Sequence, residues 1–150
     1  MVLIDKDGNI LACHGTGKPA DTGYDFPKGC VDEGETHFEA ACREMEEEAG
    51  LTLKYLYKND LIAVSQQLDG GIHRHNSHKD IHLFLCPLKA FPKIESLECT
   101  SFFTDTDGKE IPEMNGYKII SKEERSLFNK VLWDKFPIID KINSMIDYGS

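Results

Sequence analysis

Glu44, Glu47 and Glu48 stand at i, i+3 and i+4, the spacing that brings side chains onto one face of an α-helix. Glu46 lies among them. Like charges at this spacing cost roughly 0.2–0.5 kcal/mol per pair, so the cluster is unfavourable without a counter-charge. A Glu-rich run on a solvated helix face is the ordinary explanation of such a pattern. The chemical alternative is a cation site, because carboxylates gathered on one face offer only hard oxygen donors, the set that selects Mg²⁺, Mn²⁺ or Ca²⁺. Mg²⁺ commonly combines a few carboxylates with phosphate oxygens and water. Diphosphate hydrolysis has that requirement: the anionic oxygens repel a nucleophile, and a cation both neutralises them and acidifies a water.

The element that must carry these acids is legible around them. Thr36 with Glu39 three residues on is a capping-box pattern, and Phe38, Ala41, Cys42, Met45 and Ala49 recur at helical spacing on the side opposite the glutamates. The spacing predicts an amphipathic helix over 36–49, closed by Gly50 as its C-cap, with Leu51 packing back beneath the end. Upstream, Val2 to Ile4 and Ile10 to Cys13 read as a β-hairpin around Asp7-Gly8-Asn9. A Gly-, Thr-, Pro- and Asp-rich loop, Gly15 to Gly23, leads to Phe26-Pro27-Lys28-Gly29 and an extended segment to Val31. Downstream, 51–67 and 81–88 read as strands separated by a polar loop with Gly70-Gly71, and further strands are expected at 101–104 and 117–120 with a turn over 105–108 between them. From Ser121, with Glu124 three residues on, Leu127, Phe128, Val131 and Leu132 suggest a helix. Pro137 interrupts it, and a second short helix follows over 138–146. Strands and helices intermix, so the class is α/β or α+β, a mixed sheet sandwiched between helices, in one domain over 1–150.

Composition narrows the partners. Seventeen Lys plus Arg against 26 Asp plus Glu leave a formal charge of −9, a field that repels long nucleic acid. The five cysteines are odd in number, and no two of them form a C-x-x-C pair. That argues against a disulfide framework or structural zinc and fits a reducing cytoplasm. The apolar run at the N-terminus is too short for a signal peptide, and no window reaches the roughly 18 apolar residues of a membrane span. A soluble monomer or homodimer is expected.

Gly29, Glu35, Arg43-Glu44-Met45, Glu47-Glu48 and Gly50-Leu51 match every fixed position of the Nudix box, G-x5-E-x7-R-E-U-x-E-E-x-G-U, where U is bulky and apolar. Chance would produce this in a chain of this length on the order of once in 10⁷. The chain therefore resembles the Nudix hydrolases, and the order of its other elements agrees with that fold. The resemblance implies a Mg²⁺-dependent enzyme, with Mn²⁺ as a substitute, that cleaves a diphosphate linkage in a nucleotide derivative. It implies metal binding by Glu44, Glu47 and Glu48, joined by the carbonyl of Gly29. Arg43 would pair with a box glutamate and orient it, Glu35 would brace the loop against the helix, and Glu44 would take the proton of the attacking water, although a loop glutamate serves in some relatives.

Phe26-Pro27-Lys28-Gly29 and Pro112-Glu113-Met114-Asn115-Gly116-Tyr117 resemble segments of the diadenosine polyphosphate hydrolases and RNA 5′-pyrophosphohydrolases. In that branch the residue matching Glu113 is a further metal ligand or base; taken alone, Glu113 reads equally well as a surface-loop residue. Lys28 is a candidate phosphate contact or a solvated lysine. Tyr24 and Tyr117 are candidates for stacking on a base or for filling core, with Tyr117 carried forward as a substrate contact. His73, His75, His78 and His82 could bind a transition metal or phosphate, but a polar loop explains them more simply. Trp133 is expected in the core or at a dimer contact. Signatures that mark NADH-type and ADP-ribose-type pyrophosphatases are missing. The downstream aromatic of many diadenosine polyphosphate hydrolases is missing too, since Gln66, Gln67, Leu68 and Asp69 occupy that region; the two flanking segments put diadenosine polyphosphates first, then ADP-ribose or FAD-like dinucleotides, with an RNA 5′ end as the alternative. A module that binds a nucleotide without cleaving it is the remaining one.

Overall fold

Asp5 begins the first turn of the chain by accepting the backbone N–H groups of Asp7 and Asn9 on its carboxylate, and Gly8 completes it at φ 82°. This turn joins strands β1 (Val2–Ile4) and β2 (Ile10–Gly15). The computed structural model describes residues 1–59, 61–62, 67–74 and 77–149. Strand β2 is the hub of the main sheet. One of its edges pairs along its length with β8 (Met114–Ile120); the other pairs with β1 and then with β3 (Tyr24–Asp25), all antiparallel. Strand β1 also pairs in parallel with β5 (Ser77–Pro87), which in turn pairs antiparallel with β4 (Gln67–Arg74).

Alternation along β1 and β2 feeds two cores, which is why both strands read as continuous apolar runs. Leu3, Leu11 and Cys13 pack with Ala41, Met45 and Ala49 of helix α1 (His37–Ala49) and with Leu56 of helix α2 (Leu53–Asn59). Val2, Ile4, Ile10 and Ala12 pack on the other face with Phe26, Phe128, Leu132 and, from helix α3 (Phe136–Asn143), Phe136 and Ile139. The sheet is sandwiched by helical layers, as the sequence predicts. Arg125 ties the distal layer to the first turn: its guanidinium bonds both Asp140 oxygens at 2.6 and 2.7 Å and the Gly8 carbonyl at 3.0 Å.

Five expectations are corrected. The strand expected over 51–67 begins instead as helix α2, because the Thr52 hydroxyl accepts the Tyr55 N–H, the Thr52 carbonyl accepts the Leu56 N–H, and Leu56 is then buried in the core. Gly70-Gly71 lie inside β4, not in a loop; the β4–β5 register shifts between Leu68 and Ile72, so the glycines sit at an irregularity of the ladder. The segment after Ser121 forms 3₁₀ turns over Lys122–Leu127 and Lys130–Lys135 rather than an α-helix. Phe128 and Leu132 are buried, but Val131 and Trp133 remain 45% and 43% exposed, so Trp133 is not a core residue. Pro137 opens α3 rather than interrupting it, since the first helical turn has no use for the missing N–H. A two-stranded arm, β6 (Phe102–Thr104) with β7 (Glu110–Pro112), stands apart from the main sheet, and β7 had no counterpart in the sequence reading.

Candidate active site

Helix α1 forms where its sequence dictates. The Thr36 hydroxyl accepts the Glu39 N–H at 3.1 Å, the Glu39 carboxylate accepts the Thr36 N–H at 3.0 Å, and Gly50 takes the left-handed C-cap at φ 70°. Met45 and Ala49 are fully buried against the sheet. The acidic face is not simply solvated: Glu48 is 2% and Glu44 9% exposed. The loop from β3 folds over this face. Lys28 donates its backbone N–H to Glu48 Oε1 at 2.8 Å. The next residue, Gly29, lies so close to Glu44 that a Cβ there would fall 2.2 Å from the carboxyl carbon.

Arg43 joins the loop to the helix. Its guanidinium bonds Glu35 at 2.8 and 3.1 Å, Glu44 at 2.8 Å, Glu47 at 3.2 Å and the Cys30 carbonyl at 2.8 Å. Arginine suits this place because its planar fork can hold several oxygens at once. The pairing with Glu35 chiefly raises the Arg43 pKa, and the same bond lowers that of Glu35. Arg43 does not neutralise the whole cluster. Burial pushes the Glu48 carboxyl up to about 8, against the help of the Lys28 N–H, and the charges of Glu44, Asp25 and Glu113 add to the rise. Burial also raises Glu44, opposed by Arg43 and assisted by Glu47 and Glu113.

The other candidates divide. Glu113 is brought to the cluster: its charge acts on both Glu44 and Glu48. Its carboxylate accepts the Ser101 hydroxyl at 3.3 Å. Tyr117 points its hydroxyl at the helix, donating to the Glu48 carbonyl at 2.6 Å, and burial raises its pKa. The Lys28 ammonium lies 3.3 Å from the Asp25 carboxylate. Tyr24 meets His14 edge-on, with centroids 5.0 Å apart. Of the histidines, His82 stacks on His37 at the start of α1 at 3.7 Å; the side chains of His73 and His78, and all of His75, lie outside the described residues. Three contributions had no signal in the sequence: the backbone N–H of Lys28 has no side-chain signature, Ser101 is twelve residues from Glu113, and Asp25 reaches the cluster only through the β2–β3 pairing.

The donor set suits a hard divalent cation. Burial pushes the Glu44 and Glu48 carboxyls toward protonation, and the charge of Glu113 adds to both, a condition that a nearby cation relieves. Among the described residues no three acidic, His or Cys side chains already converge as a cation cage. Arg43 engages the carboxylates of Glu35, Glu44 and Glu47 instead. No described helix is long and apolar enough to cross a membrane.

Comparison with known proteins agrees with this architecture. The family model of the NUDIX domain matches residues 1–114. An uncharacterized 17.7 kDa protein of Enterobacteria phage T4 is 31% identical over 125 residues, covering 80% of this chain and 77% of the phage protein. Among solved structures, a C. elegans Ap4A hydrolase is similar with TM-score 0.55 at 18% identity, covering 96% of this chain and 90% of its own. The E. coli dihydroneopterin triphosphate pyrophosphohydrolase gives 0.56 at 18%, with 97% and 92% covered. A bifunctional NMN adenylyltransferase/ADP ribose pyrophosphatase from Francisella tularensis, complexed with AMP and Mn ion, gives 0.55 at 19%; the match covers 95% of this chain but 40% of that one. At these identities the structural likenesses speak for the fold, and the family match over most of the chain speaks for descent. With Glu44, Glu47 and Glu48 on one helix face and Glu35 in the loop before it, the chain belongs to the NUDIX family and is a pyrophosphohydrolase of phosphoric anhydride bonds.

Proposed function

We propose that this protein hydrolyses the diphosphate linkage of a small nucleoside diphosphate derivative in a Mg²⁺-dependent reaction, with Mn²⁺ able to substitute. Diadenosine polyphosphates lead the substrate class, and ADP-ribose or FAD-like dinucleotides follow. The observation that carries the reading is Glu48, a carboxyl 2% exposed beside Glu44 and Glu113 and pushed up to about 8 by burial. A buried acid so placed is costly unless a cation compensates it. Diphosphate oxygens and carboxylates can share that cation. The proteins of known structure that this chain resembles include enzymes for an adenine dinucleotide and for ADP ribose, one of them with Mn ion, which supports the choice of substrates.

Glu44, Glu47 and Glu48, with the Gly29 carbonyl, would hold the cation; when bound, it supplies charge neutralisation and acidifies the attacking water. Arg43 keeps Glu44 and Glu47 oriented through its hydrogen bonds. Glu44 takes the water's proton, because it stands in the acidic cluster that would hold the cation and so beside the water that the cation acidifies. Glu113, held by the Ser101 hydroxyl, assists, and Lys28, released from Asp25, is available to a phosphate oxygen. Tyr117 fixes the helix backbone at Glu48 through its hydroxyl while its ring packs against the core beneath α1, so it serves the substrate site by holding that helix in place.

The test is release of nucleoside monophosphate from diadenosine polyphosphates, ADP-ribose, FAD, nucleoside triphosphates and a short 5′-triphosphate RNA, with Mg²⁺, Mn²⁺ or chelator. Cation-dependent cleavage of the dinucleotides is expected, lowered by orders of magnitude in Glu48→Gln. Cleavage that survives chelator, or a Glu48→Gln variant near the wild-type rate, would overturn the cation assignment. Preference for the RNA would replace the substrate class.

A further inference from the structure

The β6–β7 arm carries two phenyl rings in the open, Phe102 at 53% and Phe103 at 41% exposure. Single exposed rings are ordinary on a protein surface, so what each of these can meet is decided by the register of the arm. Phe102 pairs with Pro112 and Phe103 with Ile111, and the ladder continues at the arm's base, where the Glu113 N–H donates to the Ser101 carbonyl at 2.9 Å. Residues directly opposite share a face, and so do residues two apart. Ser101, Phe103, Ile111 and Glu113 therefore lie on one face of the arm, an assignment supported by the Ser101 hydroxyl on the Glu113 carboxylate. The base of the arm is tied to α1 itself, where the Thr100 N–H donates to the Glu47 carbonyl at 2.7 Å, so the arm rises beside the helix that carries the acids. Phe102 stands on the opposite face.

We infer that Phe103 is a specificity-determining residue, presenting its ring to the planar base of a nucleotide whose diphosphate lies on the carboxylates of α1. The inference rests on the substrate class proposed above. Two residues along a strand span about 7 Å, so the ring stands one short step outward from Glu113. A base joined to the diphosphate through a ribose must leave the acidic patch for an apolar neighbour, because the carboxylates offer it neither stacking nor hydrogen-bond donors. Phe103, with Ile111 beside it, is an apolar surface of that kind, reached without crossing the arm. A phenyl ring stacks on any base, so this contact selects for a base over a sugar or alkyl group rather than for one base over another.

Phe103→Ala is expected to raise KM for a diadenosine polyphosphate or ADP-ribose roughly tenfold or more, with kcat affected far less and with a smaller KM change for a base-free sugar diphosphate. Phe103→Tyr should restore KM, and Phe102→Ala should change neither constant. Both rings are exposed, so these variants should fold, which an unchanged unfolding transition would verify. Phe103→Trp in a Trp133→Phe background gives a second readout independent of turnover: AMP should quench the new indole saturably. An unchanged KM in Phe103→Ala together with no quenching would overturn the inference while leaving the hydrolase reading intact if Glu48→Gln is inactive. Self-association lost in Phe103→Ala with KM unchanged would also overturn it, making the ring an interface residue. If wild type cleaves no nucleoside diphosphate derivative, the proposed function fails, and quenching by AMP still decides whether the ring meets a base.

Discussion

Replacing Gly29 with alanine should injure catalysis far more than stability. Gly29 is not among the glycines at positive φ, so its backbone conformation is open to alanine and only space forbids it. The added Cβ would stand 2.2 Å from both Cδ and Oε1 of Glu44 and 2.6 Å from Oε2. Carbon atoms pack at about 3.5 Å, so the carboxyl must withdraw by about 1 Å. The carboxyl is the free end of a flexible side chain, and rotation can supply that movement at the expense of the 2.8 Å bond from Arg43. With Arg43 partly exposed at 27%, losing that bond costs about 1 kcal/mol, a fall in Tm of about 2–4 °C for a chain of this size. A 1 Å misplacement of a catalytic carboxylate is worth about 100-fold in rate. The assay pairs steady-state kcat under saturating Mg²⁺ with thermal unfolding of Gly29→Ala, alone and in a Glu44→Ala background. Within the double mutant the stability loss should vanish, because the clashing atoms are gone. A kcat within a few-fold of wild type, or a stability loss of equal size in both backgrounds, would refute the steric account.

Two further expectations concern the acids. Burial holds the Glu48 pKa at about 8 in the folded protein against an ordinary 4.5, so the folded state keeps a proton that the unfolded chain has released. In chelator the resulting stabilisation is full below about pH 4.5 and is lost as pH rises through about 8; Tm should fall across that window, Glu48→Gln should flatten the profile, and a flat wild-type profile would refute burial as the cause. Glu113→Gln should lower kcat by roughly tenfold, less than Glu48→Gln, and an unchanged rate would return Glu113 to the surface loop.

Local chemistry made the catalytic helix legible. The Thr36–Glu39 cap, the apolar stripe from Ala41 to Ala49 and the Gly50 terminus are relations among near neighbours, and each is present in the structure. Periodicity failed where distant packing outweighed it: helix α2 in place of a strand, Gly70-Gly71 inside β4, and 3₁₀ turns that leave Trp133 half-exposed. Short apolar runs fit either period, and burial selects between them.

The same division holds within the site. Sequence alone determined that Glu44, Glu47 and Glu48 share a helix face, with Gly29, Glu35 and Arg43 at fixed distances along the chain, because helix geometry converts spacing directly into position. Tertiary structure decided which of those acids is buried, that the Lys28 N–H and the Tyr117 hydroxyl hold Glu48 at its side chain and its carbonyl, and that Glu113 faces the cluster. Those facts depend on β2 pairing with β3 and β8, contacts between residues far apart in the chain whose register no local pattern specifies.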